Sequence, residues 1–160
     1  MINMEMKYEI VQLNEKLVVG LCARTNNQAP DMGQVIGGLW TRFYGEGVYG
    51  AIQNKVSGKS IGLYSDYAGD YTADYDITVG CEVAEAEPMP QGCTLKRIPA
   101  GPYAKFVLRG ELHQAVGEFW QKLWNMDLKR TYQADFEEYQ NADPEHAEIH
   151  VYISLSLIHI

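Results

Sequence analysis

"GQVIGGLWTRFY" at 33–44 and "HQAVGEFWQKLW" at 113–124 overlay at a constant offset of 80 residues, with Trp40 falling on Trp120. The first carries Val35, Ile36, Leu39, Trp40 and Phe43 at i, i+3, i+4 spacing, the mark of a helix with one apolar face. The second has the same pattern, and the surroundings match as well. "YEIVQLNEKLVVGLCART" (8–25) precedes the first helix as strand, with a turn or bulge at Asn14-Glu15. "CTLKRIPAGPYAKFVLRG" (93–110) precedes the second as a strand broken at Pro99-Ala100-Gly101-Pro102. After the first helix, "KSIGLYSDY" and "YDITVGCEVAEA" read as strands joined by the Gly- and Tyr-rich "AGDYTAD". After the second, "TYQADFEEY" and "AEIHVYISL" do the same. "YDITVGCEV" overlays "AEIHVYISL" at an offset of 72 residues, pairing Asp76 with Glu148.

The same order of four elements appears twice, over about 7–86 and 93–155, which indicates a duplication. A strand-helix-strand-strand unit is α+β. One short helix cannot cover a three-stranded sheet, so the two units are expected to pair and share a core. The expected fold is two such units in pseudo-twofold relation, with antiparallel sheets and two main helices flanking a central cleft. Such a cleft is a usual place for a ligand. The 160 residues suit one domain, read as 1–155, with 156–160 as a tail outside it.

Composition narrows the function. A hydrophobic share of 46% and a charged share of 21% are those of an ordinary globular chain. The formal net charge of −8 argues against direct nucleic-acid binding and is compatible with a cationic ligand. No apolar run approaches the roughly 20 residues that span a bilayer. "MINMEMKYEI" lacks a signal-peptide pattern, so the expected location is cytoplasmic. Cys22, Cys81 and Cys93 show no CxxC spacing and suit reduced, buried thiols. No cofactor and no metal site are expected.

Apparent motifs fall away on inspection. "SGKS" at 57–60 resembles the end of a phosphate loop, but Gln53 stands where the first Gly belongs, and a strand follows. "HAEIH" has the spacing of a helical zinc site, yet in a strand its two histidines lie roughly 13 Å apart. There is no Gly-x-Ser-x-Gly elbow for a serine nucleophile.

What remains is aromatic rings and acids. Eleven Tyr, three Trp and four Phe is a rich inventory for this length. Tyrosines around a cleft make an electron-rich wall for flat or quaternary cations, although Tyr also fills sheet faces readily. Alternation places Ile149, Val151 and Ile153 on one face of their strand and Glu148, His150 and Tyr152 on the other. Likewise Asp135, Glu137 and Tyr139 share a face. The acids either lie on a solvated sheet face or sit in an aromatic cleft awaiting a cation, and pattern alone leaves both open.

These residues resemble the GyrI-like small-molecule-binding domain, the effector-binding domain of AraC- and MerR-type multidrug regulators. "RIPAGPYAKF" and "DFEEY" are the specific part of the resemblance. "LVVGLCART", "IGGLW", "SIGLYSDY" leading to "YDITVGCEV", and "AEIHVYISL" extend it along the chain. It implies a duplicated βαββ fold whose cleft holds an acidic residue among rings and binds lipophilic organic cations. By position, Glu137 best matches the pocket acid and Glu148 comes second. Trp40, Tyr139 and Tyr152 match aromatic positions, and Trp120 and Trp124 follow less securely. Ser154 stands where the family has Pro, and His150 where it has Tyr.

The resemblance covers nearly the whole chain and leaves no room for a helix-turn-helix segment. It therefore implies a stand-alone sensor or sequestering module, like the free-standing members found on mobile gene cassettes. Two other readings stay open. One is a protein-binding inhibitor whose acidic surface docks on a basic face of a gyrase-type partner; a homodimer is left open separately. The other is a hydrolase of strained small molecules with Glu137 as general base.

Overall fold

The computed structural model describes residues 6–156. Strands β1 (Glu9–Leu13) and β2 (Lys16–Thr25) lead into helix α1 (Met32–Gly45) and the single turn α2 (Val48–Ala51). Strands β3 (Ser60–Ser65), β4 (Tyr75–Val83) and β5 (Thr94–Ile98) follow, and then β6 (Gly101–Gly110), α3 (Leu112–Trp124), β7 (Ala134–Tyr139) and β8 (Ala147–Ser154). The break expected at Asn14-Glu15 separates β1 from β2; of the one expected at Pro99-Ala100-Gly101-Pro102, Pro99 and Ala100 separate β5 from β6, while Gly101 and Pro102 already belong to β6. The proposed tail begins at Ser156, and the rest of it lies outside the described residues.

All eight strands form one antiparallel sheet in the order β1-β6-β8-β7-β3-β4-β2-β5. Read from its two ends inward, this order is that of a duplicated chain, with β1 answering to β5, β6 to β2, β8 to β4 and β7 to β3. The leading strand of each repeat is exchanged. β1 pairs with β6 of the second repeat, while β5 returns to pair with β2 of the first. The pseudo-twofold axis therefore passes through the β3–β7 pair.

Both helices lie on one face of this sheet. Leu39 and Phe43 of α1 pack on Val19, Leu21, Ile77 and Val79 of β2 and β4. Phe119 and Leu123 of α3 pack on Phe106, Ile149, Val151 and Ile153 of β6 and β8. The opposite face curls around a third core of Val18, Ile61, Leu63, Ile98, Tyr103 and Phe136. Burying an aliphatic or aromatic side chain contributes about 1.5–3 kcal/mol, so these clusters, not local propensity, hold the exchanged strands in place. Where β2 crosses β4, Gly20 lies opposite Gly80, and a Cβ on either would run into the carbonyl of Val79 or Val19.

Each helix covers its own half of the sheet, and the central β3–β7 pair is left as the floor of a gap between them. That gap is the candidate site.

Candidate functional site

β7 alternates strictly. Ala134 and Phe136 go to the curled face, while Asp135, Glu137 and Tyr139 go to the helix face. Alternation normally sends the polar set to water. Here α1 and α3 rise on either side, so Asp135 is 0% and Glu137 is 2% exposed.

The two carboxylates have different surroundings. Asp135 is neutralised: its Oδ2 accepts from Arg130 Nη2 at 2.7 Å and from Tyr67 Oη at 2.7 Å. Its Oδ1 accepts from the backbone N–H of Ser154 at 2.9 Å. Glu137 receives only neutral donors. Tyr139 Oη donates to Oε1 at 2.6 Å, while Trp120 Nε1 and Tyr64 Oη donate to Oε2 at 2.7 and 3.1 Å. Among the described residues no cationic side chain pairs with Glu137. Burial pushes its carboxyl above the usual range, and the hydrogen bonds from Tyr139, Trp120 and Tyr64 pull it part of the way back. Burial, reinforced by the charge of Glu137, holds the Tyr64 and Tyr139 hydroxyls well above their usual value, so both stay protonated donors.

Around this carboxylate opens a cavity of about 1310 Å³, lined by both helices, the β3–β7 floor and the tyrosines of the β3–β4 connection. Trp40 meets Tyr139 edge-on at 5.0 Å between centroids, and Trp120 meets Tyr64 at 5.1 Å. Further out, Tyr44 stacks parallel to Trp40 and Tyr71 parallel to Trp124. Gly62 lies directly opposite Glu137 in the ladder. A Cβ there would come within 3.1 Å of Glu137 Oε1 and 3.4 Å of Trp40 Cζ2, so the missing side chain makes room for both groups.

Of the residues singled out in the sequence, Glu137, Trp40, Tyr139 and Trp120 converge on this cavity. Glu148 and Tyr152 do not line it. Both sit on the other face of β8, because period-2 alternation separates them from Val151, the ladder partner of Glu137. Glu148 is bound by His150 Nε2 at 2.8 Å and Arg109 Nε at 3.3 Å, and those contacts hold its carboxyl below the usual range. Tyr152 stacks on Phe136 at 4.6 Å. Tyr64, the third donor to Glu137, was not singled out. Overlaying "GLY" at 62–64 on "EEY" at 137–139, which pairs Tyr64 with Tyr139, was the available signal.

A sequence family described as integron-associated effector binding protein, Cass2, matches residues 9–155. The chain belongs to the Cass2 family. An integron cassette protein of Vibrio cholerae shares 27% identity over 93% of this chain and 95% of its own, with a TM-score of 0.76. SAV2435, solved bound to tetraphenylphosphonium, shares 18% over 96% of each chain, with a TM-score of 0.80. A Staphylococcus aureus protein described as a putative transcription regulator shares 19% over 93% of this chain, with a TM-score of 0.72. The last two likenesses, at those identities, are of fold. No curated protein matches the chain. Cass2 membership makes effector binding the coarse function and agrees with the fold implied by the GyrI-like resemblance. Among the described residues, no helix is long and apolar enough to cross a membrane, and no group of His, Cys, Asp and Glu is placed to hold a metal ion.

Proposed function

We propose that this Cass2 chain takes up lipophilic organic cations, with Glu137 as the counter-charge and the rings of Trp40, Trp120, Tyr64 and Tyr139 as the wall. The observation that carries this reading is the contrast along β7, where Asp135 has Arg130 and, among the described residues, Glu137 has no cation. A buried carboxylate with neutral donors and no opposite charge is costly, and an incoming cation relieves that cost. A strongly hydrated ion would lose too much water on entry, so the ligand has to be apolar around its charge. Each cation–π contact adds about 0.5–2 kcal/mol, and several rings are within reach. A relative of the same fold that holds tetraphenylphosphonium supports the reading. The role proposed is uptake without chemical change, as a sensor or a sequestering module.

Trp120 reports on the site directly, because its indole N–H touches Glu137. Titration with crystal violet or tetraphenylphosphonium should change tryptophan fluorescence saturably, in competition with one another. A folded protein whose fluorescence does not respond to either would remove the proposal.

A further inference from the structure

The geometry points to a ligand whose positive charge lies between two apolar arms, one arm for each half of the cavity; this rests on the cation reading above. The duplication fixes which residues correspond. Gly80 of β4 answers to Tyr152 of β8 at the 72-residue offset; the first pairs with Ile61 and the second with Phe136. Ile61 therefore answers to Phe136, Gly62 to Glu137, and Tyr64 to Tyr139. Gly62 and Glu137 also face each other in the ladder, so the carboxylate sits on the pseudo-twofold axis itself.

Most of its surroundings follow the same symmetry, and the hydrogen bond from Trp120 Nε1 is the contact that breaks it. Tyr64 and Tyr139 are counterparts, and each donates to one oxygen of Glu137. The edge-on contacts Trp40–Tyr139 and Trp120–Tyr64 map onto each other and are nearly equal in length, at 5.0 and 5.1 Å. The helices line the cavity position for position, Ile36 with Val116, Gly37 with Gly117, Trp40 with Trp120. Tyr44 and Trp124, again counterparts, stand at the outer ends.

The glycine pair is informative. A glycine in a helix interior is destabilising relative to alanine. At Gly37 and Gly117 a Cβ would meet no protein atom within 4 Å, so packing does not require either one. Both open the helix wall to the cavity, one on each side of Glu137. The volume agrees: about 1310 Å³ exceeds the ~300–1,000 Å³ that houses an ordinary drug-sized ligand. A cation with its charge at one end would fill one half and leave the other wet. A centrally charged cation can meet Glu137 on the axis and extend into both halves.

Calorimetric titrations of the full chain test this with two probes, tetraphenylphosphonium, whose charge is central, and benzyltrimethylammonium, which has a single arm. Gly37→Leu and Gly117→Leu each narrow one half. We expect one tetraphenylphosphonium per chain, weakened at least about tenfold by either substitution, a change easily resolved in Kd. The one-armed probe should be weakened by at most one of the two. Two tetraphenylphosphonium ions per chain would overturn the inference, as would either Leu variant binding it as well as the unaltered protein does. Should a Leu variant fail to fold, Gly37→Ala and Gly117→Ala, which have open space, should give the same two-sided pattern with smaller shifts. If neither probe binds the unaltered protein, the cation reading itself fails and this inference falls with it. One-sided blocking with intact binding sinks the two-armed ligand alone.

Discussion

Gly62 and Glu137 face each other across the β3–β7 pair and are also each other's counterparts in the duplicated chain. At this pair the two repeats differ, and perfect symmetry here would be harmful. Two carboxylates on the axis would stand face to face without water, and one would be forced to stay protonated. One carboxylate against a bare Cα leaves a single, central negative charge with room beside it.

Gly62→Ala should therefore weaken cation binding more than it harms the fold. The new methyl group would stand 3.1 Å from Glu137 Oε1, so the carboxylate has to shift against three hydrogen bonds. The expected stability loss is about 1–2 kcal/mol, the scale of strained packing and one weakened hydrogen bond. Urea unfolding and a parallel dye titration check both halves of this statement.

Glu137 should leave a pH signature. Its folded pKa lies above the usual 4.5, so the folded state binds the extra proton more tightly than the unfolded chain does. Its contribution to stability is then fully present below pH 4.5 and is lost as the pH rises through the raised value. Compared with Glu137→Gln, the unaltered protein should lose stability over that window. Chemical denaturation of both proteins across the acid range measures the difference. Parallel curves would show that the carboxyl is not perturbed.

Arg130→Met should be far more damaging than Glu137→Gln. Arg130 and Asp135 are 5% and 0% exposed, and removing the cation strands Asp135 in the interior. Breaking one partner of such a pair costs about 3–5 kcal/mol. Adding Asp135→Asn to Arg130→Met should recover part of the loss, as a double-mutant cycle by thermal unfolding would show.

Glu148→Gln and Tyr152→Phe should leave dye titrations unchanged, because both residues lie on the sheet face away from the cavity. A weakened titration in either variant would contradict the assignment of the site to the helix face.

The sequence carried the elements well, because amphipathic helices and alternating strands announce themselves locally. α1 and α3 begin and end within a residue of the expected bounds, and Ile149, Val151 and Ile153 are the buried face of β8. The exchange of β1 and β5 was not legible, since strand pairing is non-local and either partner satisfies the same apolar pattern. The α2 turn is too short, at four residues, to leave a periodic signal. Glu137 and Glu148 could not be separated for a related reason. Alternation gives two faces per strand, but both faces of the central β7 are buried, and the polar face of β8 is not. Only the placement of α1 and α3 decides which carboxylate lies under the rings. Tyrosine abundance was visible in the composition. Which tyrosines reach the carboxylate was not, except through the Tyr64–Tyr139 correspondence that the duplicated ladder makes plain.

Comparing the Kd of tetraphenylphosphonium for the unaltered protein and for Glu137→Gln, at neutral pH and fixed salt, decides whether Glu137 is the counter-charge. Removing one charge of a desolvated pair costs about 2 kcal/mol or more, so the variant should bind at least about thirtyfold more weakly while remaining folded. Equal affinity in the two proteins would contradict the claim, and the aromatic cavity would then have to hold its ligand without the buried charge.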